Sequence, residues 1–146
     1  MSGFLIDTNI ISLLAPGRSA VNEHVSGWIA REGNAGNLYL SVITLAELER
    51  GLQKLNRNGS TQRAGLIETW IKTIQDQFSD HILSIDAAIA RIAGRFDALA
   101  QSQGHQPGLA DMMIAATASS HNLVLVTANT KHFQFLPIEV INPAKG

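Results

Sequence analysis

Short apolar runs that alternate with longer helical patterns place this 146-residue chain in the α/β class, as a three-layer α/β/α domain with a mainly parallel central sheet. Three observations carry that expectation. Leu123-Val124-Leu125-Val126-Thr127 is a continuous apolar run of the kind buried on both faces of a parallel sheet. The segments between such runs are long enough for helical crossovers, which parallel pairing requires. No internal repeat or composition break divides the chain, so residues 1–146 are expected to form one domain, with a short polar tail from about residue 143.

The elements follow in order. Phe4-Leu5-Ile6 makes a first strand that gives way at Asp7-Thr8-Asn9 to a polar turn, and a helical pattern (Ile10, Ile11, Leu13, Leu14) runs on to Pro16-Gly17. A second helix is expected over Ala20 to Arg31, with Val21, Val25, Trp28 and Ile29 inward; Gly33-Asn34-Ala35-Gly36-Asn37 ends it. Leu38 to about Val42 reads as a second strand. Thr44-Leu45-Ala46-Glu47 then has the form of a capping box, which assigns Thr44 to the helix cap and gives Glu47 a structural role. That helix continues through Leu48, Leu52 and Leu55 to Asn56–Gly59. Ser60 is placed to cap the next, whose stripe is Leu66, Ile67, Trp70, Ile71 and Ile74.

His81 to Ile85 reads as a third strand, and Asp86 as the cap of a helix to about Gln103 with Ile89, Ile92, Phe96 and Leu99 inward. After the loop Gly104–Gly108, Leu109-Ala110-Asp111 opens a helix so rich in Ala and Met that burial nearly all round is expected. Leu123–Thr127 is the fourth strand, Ala128-Asn129-Thr130 the turn after it, and Ile138 to Ile141 the last strand.

Composition narrows the chemistry. With 45% hydrophobic and 16% charged residues, the chain has no apolar run approaching the roughly 18 residues of a membrane span. Asp7 interrupts the first apolar stretch too early for a signal peptide, so a cytoplasmic location is expected. The absence of cysteine removes disulfides, thiolate catalysis and cysteine-held metals. A net charge of -1 argues against a uniformly basic nucleic-acid coat. Between Arg50 and Lys72, however, five of six charged residues are cations; this segment reads first as a solvated helical face and second as a phosphate-tracking surface.

Asp7, Glu47 and Asp111 share one topological address, each at a strand end or in the first turn of a helix following a strand. If the strands are parallel, these positions gather along one edge of the sheet. Two carboxylates about 5 Å apart repel by roughly 3 kcal/mol at an effective dielectric near 20, so three together require protons or cations. Hard Mg²⁺ or Mn²⁺ suits such oxygen ligands, and a pair of ions about 3.5–4 Å apart could activate a water and stabilise a leaving oxygen. Other chemistries lack their signatures. There is no Gly-x-Ser-x-Gly elbow and no glycine-rich phosphate loop after the first strand, and an aspartyl-phosphate phosphatase would want a second Asp where Asn9 stands. His24, His81, His105 and His121 are scattered, and His132, nearer the acids, reads as a packing or capping residue.

The order of these motifs resembles the PIN-domain ribonucleases, especially the VapC/FitB-type toxins of bacterial toxin–antitoxin pairs. Phe4-Leu5-Ile6-Asp7-Thr8-Asn9 resembles the opening motif, Ser41 to Gly51 the segment bearing the family's glutamate, and Leu109-Ala110-Asp111 with Ile114-Ala115-Ala116 the third. Leu125 to Phe133 and Val140-Ile141-Asn142-Pro143 are similar to the closing motifs. The resemblance implies a Mg²⁺-dependent endoribonuclease with Asp7 and Asp111 as metal ligands and Glu47 completing the pocket, directly or through water. Thr127, Asn129 and Asn9 would support it. Many family members carry a fourth acid where this chain has Asn129, an amide that adds no charge. A homodimer, an RNA substrate, a cognate antitoxin docking on the helices from Thr44 to about Gln77, and a joint complex on promoter DNA are also implied. The alternative is a catalytically impaired RNA-binding or protein-interaction domain on the same fold.

Overall fold

In a computed structural model the structure describes residues 3–17 and 23–145. Five strands form one sheet in the order β3-β2-β1-β4-β5, every neighbouring pair parallel: β1 (Phe4–Ile6), β2 (Leu38–Ser41), β3 (Ile82–Leu83), β4 (Val124–Val126) and β5 (Val140–Ile141). The chain builds outward from β1 through β2 to β3, then crosses back to place β4 and β5 on the other side. The reversal makes a topological switch point between β1 and β4, where open α/β sheets leave a crevice beyond the strand ends.

Alternation along β1 sends Leu5 to one face and Phe4 and Ile6 to the other. On the Leu5 side lie α5 (Ala87–Ser102) and α6 (Leu109–Ser120), with Ile89, Ala93, Phe96, Met112 and Ile114 buried. On the Ile6 side lie α1 (Thr8–Ile11), α2 (Glu23–Asn34) and α4 (Thr61–Phe78), through Ile10, Ile11, Val25 and Ile74. α3 (Val42–Arg57) forms a hairpin with α4, closed by Leu48, Leu52, Ala64, Ile67 and Ile71. Helices thus cover both faces of the parallel sheet, as expected. Among the described residues no helix is long and apolar enough to cross a membrane.

Local departures have physical causes. β2 stops at Ser41, and α3 starts there without a loop: Ser41 is extended (φ -90°, ψ 148°) and its hydroxyl accepts from Ile43 N at 3.0 Å. The cap is therefore Ser41 and not Thr44, and the capping box does not form. Ser60 caps α4 without a side-chain hydrogen bond, whereas Asp86 does cap α5, accepting from Ile89 N at 2.8 Å. Leu66 and Leu99, expected inward, are exposed; α5 buries the small Ala93 and Ala100 against α6 instead. Residues 20–22 of the expected second helix, including Val21, lie outside the described residues.

Candidate active site

Asp7 sits where β1 ends, and its backbone N–H donates to Val126 O of β4 at 2.8 Å, so the residue is fixed at the switch point. Its side chain is only 4% exposed. Oδ1 accepts from Thr8 N at 2.8 Å and caps α1, while Oδ2 accepts from the Thr127 hydroxyl at 2.8 Å. Thr127, fully buried after β4, is saturated: besides donating to Asp7, its oxygen accepts from Asn9 Nδ2 and from Asn129 N, both at 3.1 Å. Asn9 Oδ1 in turn accepts from Ala128 N at 3.1 Å. Asn9 and Thr127 thereby lock the Asp7 carboxylate, and Asn129 contributes through its backbone, its side chain being exposed.

Glu47 reaches the same place from α3. The Thr8 hydroxyl donates to Glu47 Oε1 at 2.6 Å, and Thr8 Oγ1 lies 3.0 Å from Thr44 Oγ1. Thr8 has one proton, committed to the carboxylate, so the buried Thr44 hydroxyl donates back to Thr8. Because α3 begins at Val42, Glu47 stands in its second turn and not at the capping position. Nothing local in the sequence signals this pairing, which joins residues 39 apart.

Asp111 lies in the first turn of α6. That helix follows α5 and a loop, not a strand, which corrects the shared address read from the sequence. The convergence survives for a geometric reason. A helix that leads into a parallel strand runs back across the sheet, so its N-terminus lies beyond the strands' carboxyl ends.

Asp7 and Asp111 both respond to burial and to neighbouring acids. Burial raises the Asp7 pKa above the ordinary 3.8, and the Glu47 charge adds to the rise; hydrogen bonds from Thr127 and Thr8 and the proximity of His132 oppose it. Asp111 is pushed up to about 6, first by burial, then by the charges of Asp7 and Glu47, again against His132. His132, read as a packing residue, is therefore part of the site's electrostatics; its position shortly after the fourth strand was its only signal. Arg50 Nη2 stands 3.8 Å from Glu47 Oε2. Such crowding at a buried edge favours positive charge between the carboxylates, and each Asp7 oxygen retains a lone pair beyond its one hydrogen bond. The donor set is hard oxygen throughout and fits Mg²⁺ or Mn²⁺, ions held by one or two carboxylates plus their own waters. Among the described residues, no group of three or more His, Asp or Glu side chains is gathered closely enough to hold a metal ion as it stands.

A cavity of about 520 Å³, lined by Ile29, Gly33, Leu38, Phe78 and His81, includes the first residue of β2 and so opens at the opposite edge of the sheet. It contains none of the acids.

Comparison with known proteins finds relatives over almost the whole chain. The chain is 36% identical over 139 residues to the toxin FitB of Neisseria gonorrhoeae, covering 95% of this chain and 96% of that relative. It is 32% identical over 135 residues to the tRNA(fMet)-specific endonuclease VapC of Shigella flexneri, covering 92% of each. Among solved structures, DNA-bound VapBC from Salmonella typhimurium superposes with a TM-score of 0.76 at 26% identity, over 98% of this chain and 99% of that one. The PIN domain profile matches residues 4–135, and the chain belongs to the PIN-domain family.

Proposed function

We propose that this protein is a divalent-metal-dependent endoribonuclease, the toxin of a toxin–antitoxin pair, which hydrolyses RNA phosphodiester bonds with water as the nucleophile. The observation that carries the reading is the convergence of Asp7, Glu47 and Asp111 at the β1/β4 switch point, with Asp111 pushed to about 6 by burial and by its two acidic neighbours. The toxin, ribonuclease and tRNA-endonuclease names of relatives that match over nearly their whole length support the substrate class.

Asp7 and Asp111 would hold the cation, and Glu47 would complete the pocket. When bound, Mg²⁺ or Mn²⁺ supplies charge against the phosphate and lowers the pKa of water. The protein's part is positional. Thr127 fixes the Asp7 carboxylate with Asn9 behind it, and Thr8 ties Glu47 Oε1 while Oε2 faces Arg50. The cognate antitoxin would cover the α3–α4 hairpin, and the toxin would act as a homodimer whose complex with the antitoxin sits on promoter DNA. The test is to express the wild-type chain and Asp7→Asn without a partner and map new 5′ ends across cellular RNA. Cleavage and growth arrest confined to wild type are expected; equal growth with identical maps would sink the reading.

A further inference from the structure

The exposed cations of α3 share one face. Arg50, Lys54 and Arg57 recur at intervals of four and three, which places them within an arc of about 60° at 3.6 residues per turn. Glu47 lies on the same side one turn earlier, so the stripe starts at the acidic site. Leu48, Leu52 and Leu55 take the opposite side and pack onto α4. Arg50 makes the connection, its guanidinium 3.8 Å from Glu47 Oε2 while the side chain stays 78% exposed. Neither Lys54 nor Arg57 has an ion-pair partner among the described residues. Glu49, the nearest acid in sequence, is instead bonded by Gln53 Nε2 at 2.7 Å.

A merely solvated face of a chain with net charge -1 would mix signs, and this one does not beyond Glu47. The helix dipole favours Lys54 and Arg57 in the last turn, yet it accounts neither for Arg50 in mid-helix nor for the face all three share with Glu47. From Arg50 to Arg57 the helix rises about 10 Å, the length of about three phosphates on a strand stacked at roughly 3.4 Å per nucleotide.

We propose that Arg50, Lys54 and Arg57 form a phosphate track that leads single-stranded RNA to and from the Glu47 side of the acidic site. This rests on the ribonuclease reading and adds where the substrate lies. The track reads backbone charge and carries no base specificity. An antitoxin that covers the α3–α4 hairpin would block it as well as the acids.

Two measurements test it separately. Binding of a fluorescein-labelled single-stranded oligoribonucleotide is followed by anisotropy in EDTA on an Asp7→Asn background, as a function of salt. Removing all three cations (R50A/K54A/R57A) is expected to flatten the log–log salt slope by about 2, since each single-strand contact contributes roughly 0.7. Exchanging them (R50K/K54R/R57K) should restore it. Cleavage with Asp7 intact should show a rise in KM that exceeds any fall in kcat. The control removes Arg91 and Arg95, exposed cations on α5. If that pair flattens the slope as much per charge, or if the triple variant keeps its slope and instead loses its antitoxin, the track is overturned. Absence of cleavage by the wild-type chain would strike the nuclease reading alone, because the binding arm needs no turnover.

Discussion

The site acids should weaken the metal-free fold, and Asp111 gives this its clearest measure. Its carboxyl titrates at about 6 in the folded protein against an ordinary 3.8, a displacement of about two units, or about 3 kcal/mol if fully expressed. Asp111 is only half-buried, and solvent screening reduces the figure to about 1–1.5 kcal/mol. The direction follows from proton counting. Between pH 4 and 6 the folded chain holds a proton that the unfolded chain has released, so the protonated carboxyl's contribution is complete below pH 4. It is lost as pH rises through 6. Above pH 7 the folded state bears the whole cost.

Asp111→Asn removes that cost. In EDTA at pH 7.5 the variant should be more stable than wild type by about 1–1.5 kcal/mol. With a urea slope near 2 kcal/mol/M, the midpoint moves up by about 0.6 M. Unfolding followed by the fluorescence of Trp28 and Trp70 reads this directly, and at pH 4 the two curves should coincide. Saturating Mg²⁺ should reverse the order: at 100 times its dissociation constant, an ion that binds only the native state adds about 2.7 kcal/mol to wild type and much less to the variant. A variant less stable than wild type in EDTA at pH 7.5, or a gap that persists unchanged at pH 4, would refute the argument that burial and acidic crowding raise the Asp111 pKa.

Thr127→Val keeps the shape but removes the hydroxyl that serves Asp7, Asn9 and Asn129 N. It should cost about 2–3 kcal/mol in urea unfolding at pH 7.5, with Thr127→Ser recovering most of the loss. Ser41→Ala removes the acceptor for Ile43 N and should cost about 1 kcal/mol, visible as a lowered thermal midpoint. Asn129→Asp supplies the fourth acid seen in many PIN-type nucleases; at about 1 kcal/mol for a screened surface charge, calorimetric titration should show Mg²⁺ affinity rising roughly fivefold.

Much of the fold is legible because its strongest signals are local. The run Leu123–Thr127, the apolar-to-polar step at Asp7 and the Asp86 cap each depend on neighbours in sequence. The failures are tertiary. Ser41 and Thr44 are both competent caps three residues apart, and only the pairing of Leu40 with Ile82 and Ser41 with Leu83 determines which ends the strand. Leu99 fits the helical stripe of α5, yet close packing on the Ala-rich α6 brings Ala93 and Ala100 inward. Asp7, Glu47 and Asp111 stood out as acids at element starts. Thr8, which bonds Glu47, and His132, whose charge opposes the rise at Asp7 and Asp111, act across distances that periodicity does not report.

A second argument for the site needs neither motif nor relative. The buried polar and charged residues are Asp7, Ser41, Thr44, Thr117 and Thr127 among those described. Thr117 satisfies itself on its own helix, donating to Met113 O at 2.8 Å. The other four lie at the carboxyl end of β1, at the β2–α3 junction, in the first turn of α3 and just beyond β4. Burying a polar group costs free energy unless it is bonded, so chance alone would scatter such groups sparsely. Here they crowd one edge of the sheet, where Thr8 joins Thr44 to Glu47 and Thr127 joins Asp7 to Asn9. The same edge is visible in the sequence as three apolar strands that each end on a polar residue, Ile6-Asp7, Leu40-Ser41 and Val126-Thr127. A fold needing only stability could cap those helices with exposed side chains. The buried Thr127 hydroxyl that holds the Asp7 carboxylate in place fits a demand on that carboxylate's position, of the kind that chemistry at the switch point would make.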